Sequence, residues 1–115
     1  MPTSDRIIAC GDVVIVPFPY SDKLAEKRRP ALVVSSGKFN RASGHLWVVM
    51  ITSKTGQSTS EDIIFDHTKV GLRKPSIVRA AKIATIEAER VIRVSGKMEK
   101  RVVANVRKQI DAILG

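Results

Sequence analysis

Aromatic side chains are scarce in this chain, at 4% of its residues, although 43% of the residues are hydrophobic. Aliphatic and β-branched side chains must therefore fill most of the core, and such residues favour β-strands. The 115 residues suffice for one domain, so we expect residues 1–115 to form a single unit in which 1–10 is a tail. So many core-forming residues argue against a disordered chain.

Cysteine is almost absent, since Cys10 is the single one. It cannot form an internal disulfide, and a reducing cytoplasm is the natural setting for such a chain. Residues 1–6 are polar and no apolar run approaches the length of a bilayer span, so neither a signal peptide nor a membrane segment is expected. We predict a cytoplasmic protein.

Histidine is also rare, with only His45 and His67. Both lie in polar segments without a recognisable site motif, which favours surface positions over acid–base roles. Together with Cys10 they lack the spacing of metal ligands, and no phosphate-binding glycine loop is present. We therefore expect neither a metal nor another cofactor.

Basic residues are plentiful, with 20 Lys and Arg against 11 Asp and Glu and a net charge of +9. An excess of this size on a small domain attracts polyanions, nucleic acid first among them. The charge alone is equally explained by a role in keeping the protein soluble or by an acidic protein partner.

The hydrophobic pattern predicts several short strands followed by one helix. Residues 23–28 lack apolar periodicity and are expected to form a mobile loop, and 37–44 are expected to be turn-rich. Val91–Val94 is expected to be followed by a turn at Ser95-Gly96. From Met98 the apolar residues recur at helical spacing, which predicts an amphipathic helix within 98–115 with Ser95 as its nearest N-cap candidate. The predicted strands are Val13–Phe18, Ala31–Val34, Leu46–Ile51, Ile63–Phe65, Ser76–Ile86 and Val91–Val94. Such a series indicates a compact, mostly antiparallel barrel with a C-terminal helix.

Four segments carry a resemblance to a known family. They are GDVVIVPFPYSD (11–22), KRRPALVVSS (27–36), VVMITSK (48–54) and GLRKPSIVRAAKIATI (71–86). In this order and spacing the chain resembles the MazF/PemK ribonuclease toxins of bacterial toxin–antitoxin pairs. The resemblance implies a mainly β fold with a C-terminal helix, built as a small SH3-like β-barrel and usually found as a homodimer.

Arg29 and Thr52 are the catalytic residues that the resemblance implies. Arg29 offers a permanently charged, planar fork of donors suited to phosphate, and Pro30 biases it towards an extended backbone. Thr52 follows the most apolar run and presents a hydroxyl. Spacing alone would favour an ordinary exposed arginine and a strand-capping threonine, so the family resemblance decides both assignments.

Five further residues are expected to bind substrate. The resemblance assigns Ser53 and Lys54 through their position beside Thr52, and Lys82 through its place in the long strand. Lys27 and Arg28 extend the positive segment before Arg29, where non-specific attraction to a nucleic-acid backbone is expected. Glu26 is a possible helper. Ala84 departs from the larger or charged side chain that relatives often carry, so cleavage specificity is not inherited with the fold.

The resulting hypothesis is a sequence-specific, metal-independent endoribonuclease toxin that cleaves single-stranded RNA. The resemblance implies attack by the ribose 2′-hydroxyl, leaving a 2′,3′-cyclic phosphate and a 5′-hydroxyl. It also implies neutralisation by a cognate acidic antitoxin. The alternative is a non-catalytic protein of the same fold that poisons DNA gyrase or binds nucleic acid.

Overall fold

The computed structural model describes residues 7–18, 27–54 and 59–115. These residues form a mainly β structure with two α-helices and two 3₁₀ turns. The strands are β1 (Asp12–Phe18), β2 (Lys27–Val33), β3 (His45–Ser53), β4 (Ile63–Ile64), β5 (Ser76–Glu87) and β6 (Arg93–Lys97). The helices are α1 (Gly37–Ser43) and α2 (Lys100–Leu114), and the 3₁₀ turns span His67–Val70 and Ala88–Arg90.

All six strands belong to one antiparallel sheet in the order β4-β5-β3-β2-β1-β6. The most apolar run of the sequence, β3, lies inside this sheet between β2 and β5, as predicted for a central strand. The sheet curls into a half-barrel, and α2 packs against β4 and β5. The predicted antiparallel barrel with a C-terminal helix is therefore confirmed.

Two apolar clusters lie on opposite faces of the sheet because successive side chains of a strand alternate in direction. We call them the helix-side and far-side clusters. Leu32 of β2 joins the helix-side cluster, with Val102 and Val106 of α2. Its neighbours Ala31 and Val33 join the far-side cluster. All three β2 residues are fully buried, which explains why the central strands read as continuous apolar runs.

Two glycines allow the 3₁₀ turn after β4 to lie against β6. A Cβ on Gly96 would lie 2.7 Å from the Val70 Cα, and one on Gly71 would lie 2.6 Å from the Ser95 carbonyl oxygen. The Ser95 hydroxyl donates to the Val70 carbonyl at 2.8 Å. This close approach joins the end of β4 to β6, the two edges of the sheet, and so narrows the open side of the half-barrel.

The predicted turn-rich segment 37–44 is wrong, because residues 37–43 form α1. Ser36 caps the helix by accepting from the Phe39 N–H, and Gly44 ends it in the left-handed conformation at φ 75°. Asn40 is buried and donates to the Ile8 carbonyl at 2.7 Å. Both caps were visible in the sequence as Ser36 and Gly44, eight residues apart.

Three boundaries also need correction. Lys27 and Arg28 belong to β2 rather than to a loop, because they pair with Phe18 and Pro17 of β1. The last strand is Arg93–Lys97, so Ser95 and Gly96 lie within it rather than forming a turn. Glu99, not Ser95, occupies the N-cap of α2. Most of the segment 23–28, which was predicted to be a loop, lies outside the described residues.

Candidate active site

Arg29 and Thr52 come from neighbouring strands and meet at the same end of the sheet. The β2–β3 pairing runs from Val33↔Val48 to Ala31↔Met50. Arg29 and Thr52 each lie two residues beyond that last pair, on strands that both continue. Antiparallel register, extended by two residues, would place them opposite each other, although the β2–β3 pairing itself ends at Ala31↔Met50. The structure places the two expected catalytic residues at the same end of the sheet, although they are 23 positions apart in the chain.

Arg29 and Thr52 also share a face of the sheet. Arg29 pairs with Val16, a member of the far-side cluster, so both side chains belong to that face. Thr52 lies two residues after Met50 of the same cluster. The shared face follows from alternation along each strand, and it places a guanidinium and a hydroxyl at the polar margin of the far-side cluster.

Alternation divides the expected substrate-binding residues between the two faces. Lys27 lies two residues before Arg29 and shares its face, whereas Arg28 lies on the opposite face. Ser53, which pairs with Ser76, likewise lies opposite to Thr52. Among these residues the register therefore groups Lys27 with the Arg29–Thr52 pair and separates Arg28 and Ser53 from it.

A bulge in β5 brings Lys82 to the middle of the sheet. Val49 pairs with Ile83 and Ile51 pairs with Val78, so residues 79–82 of β5 face Met50 alone. Lys82 is exposed. It lies two residues before Ala84, which packs against the far-side cluster. The bulge interrupts the alternation of β5 between Ala80, in the helix-side cluster, and Ala84, so the register does not set the face of Lys82. The extra β5 residues give the Lys82 side chain a wider choice of direction than a regular ladder would.

The cationic side chains at this site have no ion-pair partner within the described part of the chain. Lys27, Arg29 and Lys82 are exposed, and none of them forms an ion pair with a described carboxylate. Thr52 is half-buried, and its hydroxyl has no hydrogen-bond partner among the described residues. Glu26, the possible helper, lies outside them. These groups are free to receive an anion.

An ion pair that the sequence did not predict holds the base of the β5 bulge. The Arg79 Nε donates to Asp62 Oδ1 at 2.8 Å, and the Asp62 side chain is only 1% exposed. The Thr59 N–H donates to the other carboxylate oxygen at 2.9 Å. The Arg79 hydrogen bond, then the Thr59 N–H, lower the pKa of Asp62 below its ordinary value of 3.8. No spacing rule links residues 17 positions apart, so the sequence offered no signal.

The histidines and the cysteine lie away from this site. His45 begins β3, at the strand end opposite to Thr52, and is exposed. His67 and Cys10 are half-buried, in the 3₁₀ turn and before β1. Across residues 7–18, 27–54 and 59–115, no three His, Cys, Asp or Glu side chains are grouped to hold a metal ion. Within those ranges, no helix has the length and apolar character needed to cross a membrane.

Solved structures of similar fold support the architecture. MazF from Deinococcus radiodurans is 23% identical, covers 96% of this chain and 99% of its own, and superimposes with a TM-score of 0.79. The MazE–MazF complex from the same organism has 21% identity, the same TM-score, and coverage of 96% and 98%. An endoribonuclease from a mycobacterial species, in complex with its cognate antitoxin, has 16% identity, coverage of 96% and 95%, and a TM-score of 0.74.

Sequence comparison assigns the family. No curated protein sequence matches the chain significantly. A family sequence profile does match, over residues 9–114, and it describes PemK-like, MazF-like toxins of type II toxin–antitoxin systems. The match contains every strand and helix of the structure together with Arg29 and Thr52. The chain therefore belongs to the PemK-like, MazF-like toxin family of type II toxin–antitoxin systems.

Proposed function

We propose that this protein is a sequence-specific endoribonuclease that cleaves single-stranded RNA without a metal ion. The observation that carries the proposal is that Arg29 and Thr52 lie at the same end of neighbouring strands and on one face of the sheet. A permanent cation beside a hydroxyl matches a phosphate that gains negative charge during cleavage. Family membership and the net charge of +9 agree with a polyanionic substrate.

The proposed nucleophile is the substrate's own 2′-hydroxyl. Its oxygen attacks the adjacent phosphorus while the P–O5′ bond breaks, so the products end in a 2′,3′-cyclic phosphate and a 5′-hydroxyl. The proton lost from the 2′-hydroxyl is balanced by one gained at the 5′ oxygen. The protein then has to align the attacking oxygen and stabilise charge on the phosphoryl group, which positioned donors do well.

Arg29 and Thr52 have different proposed roles in that reaction. The Arg29 guanidinium stabilises the phosphoryl oxygens through two parallel hydrogen bonds. The Thr52 hydroxyl holds a phosphoryl oxygen or protonates the leaving one. Lys27, on the same face, and the exposed Lys82 attract the neighbouring phosphates, and Lys54 extends this positive charge beyond the end of β3. Arg28 and Ser53 then make secondary contacts at most, because their strand positions face the other way.

The proposal is tested by incubating the purified protein with a long, unstructured RNA in excess EDTA. Discrete fragments ending in a cyclic phosphate are expected, with Arg29→Ala protein as the control for contaminating nuclease. Intact RNA that migrates more slowly on a native gel would instead favour the non-catalytic alternative. A protein inactive in EDTA but active with added Mg²⁺ would overturn the metal independence.

We further propose an acidic antitoxin as the physiological partner. Two of the similar structures are complexes of a toxin with MazE or with a cognate antitoxin. Opposite charge on a partner would speed association with a chain of net charge +9 and make it sensitive to salt. The acidic product of an adjacent gene should abolish RNA cleavage at saturation, and unchanged cleavage would contradict the proposal.

A homodimer is the proposed assembly. Phe39 and Trp47 form an edge-to-face pair with ring centroids 6.1 Å apart, yet they remain 41% and 51% exposed. Ile83, 46% exposed, belongs to the strand beside Trp47. Exposed apolar side chains of this size favour burial against a second copy. Sedimentation at micromolar concentration should give twice the monomer mass of 12.6 kDa, and a monomer mass would exclude this assembly.

A further inference from the structure

We propose that Lys54, Arg73 and Lys74 form a second phosphate-binding edge, which holds the RNA next to the phosphate that is cleaved. The inference rests on the proposed RNA substrate and adds residues that the sequence did not single out. Arg73 and Lys74 lie in the turn before β5, and both are exposed.

The end of β3 and the start of β5 place this turn beside the candidate active site. Thr52 pairs with Ile77 and Ser53 with Ser76, and the Lys54 N–H then donates to the Pro75 carbonyl at 2.9 Å. Residues 73 and 74 immediately precede that anchor. Lys54 itself lies two residues after Thr52, which corresponds to about 7 Å along an extended strand.

Hydrogen bonds fix the backbone of the turn. The Ser76 hydroxyl donates to the Lys74 carbonyl at 2.8 Å, and Ser76 is one of two buried polar residues in the described chain. Pro75 restricts its own φ and disfavours the helical region for Lys74. The backbone that carries the two cations is therefore ordered before an RNA arrives, which lowers the entropy cost of binding.

The positive charges of this second phosphate-binding edge are also not neutralised by any described carboxylate. Some other basic residues of the described chain are paired with carboxylates, as in Lys69 with Glu99 and Lys97 with Asp12. Lys54, Arg73 and Lys74 form no ion pair within residues 7–18, 27–54 and 59–115. Three unpaired cations on an anchored turn suit the repeating charge of a nucleic-acid backbone and carry no base specificity.

The test compares Arg73→Gln/Lys74→Gln with the matched variant Lys38→Gln/Arg41→Gln. Each pair removes one lysine and one arginine charge. Lys38 and Arg41 are exposed on α1, which leads into the His45 end of β3, on the order of 25 Å from Thr52 along the strand. The α1 variant therefore reports the general effect of a lower net charge.

The probe is a fluorescent single-stranded RNA that spans the mapped cleavage site, with deoxyribose at the cleaved nucleotide to prevent turnover. Binding is measured by anisotropy over a series of salt concentrations. Loss of two phosphate contacts should reduce the slope of log affinity against log salt by about 1.4, at about 0.7 per contact. The α1 variant should keep the wild-type slope.

Equal slopes for the turn variant and the α1 variant would overturn the second edge. That result is distinct from failure of the proposed function, in which the wild-type protein would not cleave the all-ribose RNA at all. Thermal melting of both variants confirms that the substituted proteins are folded, and these exposed positions should leave the melting temperature unchanged.

Discussion

Arg29 and Thr52 each lie two residues beyond the Ala31↔Met50 pair, at the same end of the sheet and on the face of the far-side cluster. The pairing of β2 and β3 ends at Ala31↔Met50 although both strands continue. The site is thus built on regular strands rather than on a loop, because Arg29 pairs with Val16 of β1 and Thr52 pairs with Ile77 of β5.

Replacing Arg29 tests its proposed role. Arg29→Ala should slow RNA cleavage about a hundred- to a thousandfold, the effect of deleting one donor to a developing oxyanion. Arg29→Lys should restore only part of the rate, since an ammonium supplies charge without the planar fork. Single-turnover cleavage of a defined oligonucleotide measures both.

Arg28→Ala provides the matched comparison for Arg29, because it removes the same charge from the opposite face of β2. Its effect should be much smaller than that of Arg29→Ala. Equal losses for the two variants would show that overall charge, rather than the position of Arg29, determines the rate.

Thr52→Ala should reduce cleavage less than Arg29→Ala does, because a neutral hydroxyl forms weaker hydrogen bonds than a charged donor. Thr52→Ser keeps the hydroxyl and should retain most of the rate. Ser53→Ala, on the other face of β3, serves as the neighbouring control. Wild-type cleavage by Thr52→Ala protein in single-turnover conditions would remove this residue from the site.

Lowering the pH should reduce the stability of the folded protein because Asp62 becomes protonated. Its pKa is lowered in the folded protein, chiefly by Arg79, so its contribution to stability is present above the unfolded value near 3.8. This contribution is lost as the pH falls through the lower, folded value. Asp66 acts in the same direction, since the Thr68 hydroxyl and N–H lower its pKa.

Thermal melting from about pH 5 to about pH 2 checks the role of Asp62. The melting temperature of the wild-type protein should fall more steeply with acid than that of Asp62→Asn, which keeps the shape but not the charge. Asp111→Asn, at an exposed position on α2, is the control and should follow the wild-type curve. Parallel curves for wild type and Asp62→Asn would contradict the assignment.

The sequence predicted much of the fold because its apolar runs were clear. In Leu46–Ile51, for example, every residue except Trp47 is buried, so the strand appears as a continuous hydrophobic segment. The hydrophobic pattern placed the start of β2 too late, because Lys27 and Arg28 are polar residues that continue the strand. Pairing with β1 holds them in the sheet regardless of their hydropathy. The pattern also missed α1, where capping residues rather than an apolar stripe define the helix.

The sequence supplied candidate site residues but not their geometry. Family resemblance selected Arg29 and Thr52, whereas their position at one end and on one face of the sheet depends on the strand register, which no local signal specifies. The same holds for Lys82, whose place follows from a bulge opposite Met50, and for the turn at Arg73 and Lys74. These relationships are long-range, so they emerge only from the assembled sheet.

The measurement that tests the central claim most directly uses deoxyribose at the cleaved nucleotide. Two oligonucleotides are compared in EDTA, one all-ribose and one with a single 2′-deoxy substitution at that nucleotide. Because the 2′-hydroxyl is the proposed nucleophile, the substituted strand should resist cleavage while binding nearly as tightly through its phosphates. Cleavage of the deoxy-substituted site at the rate of the all-ribose strand would contradict the account.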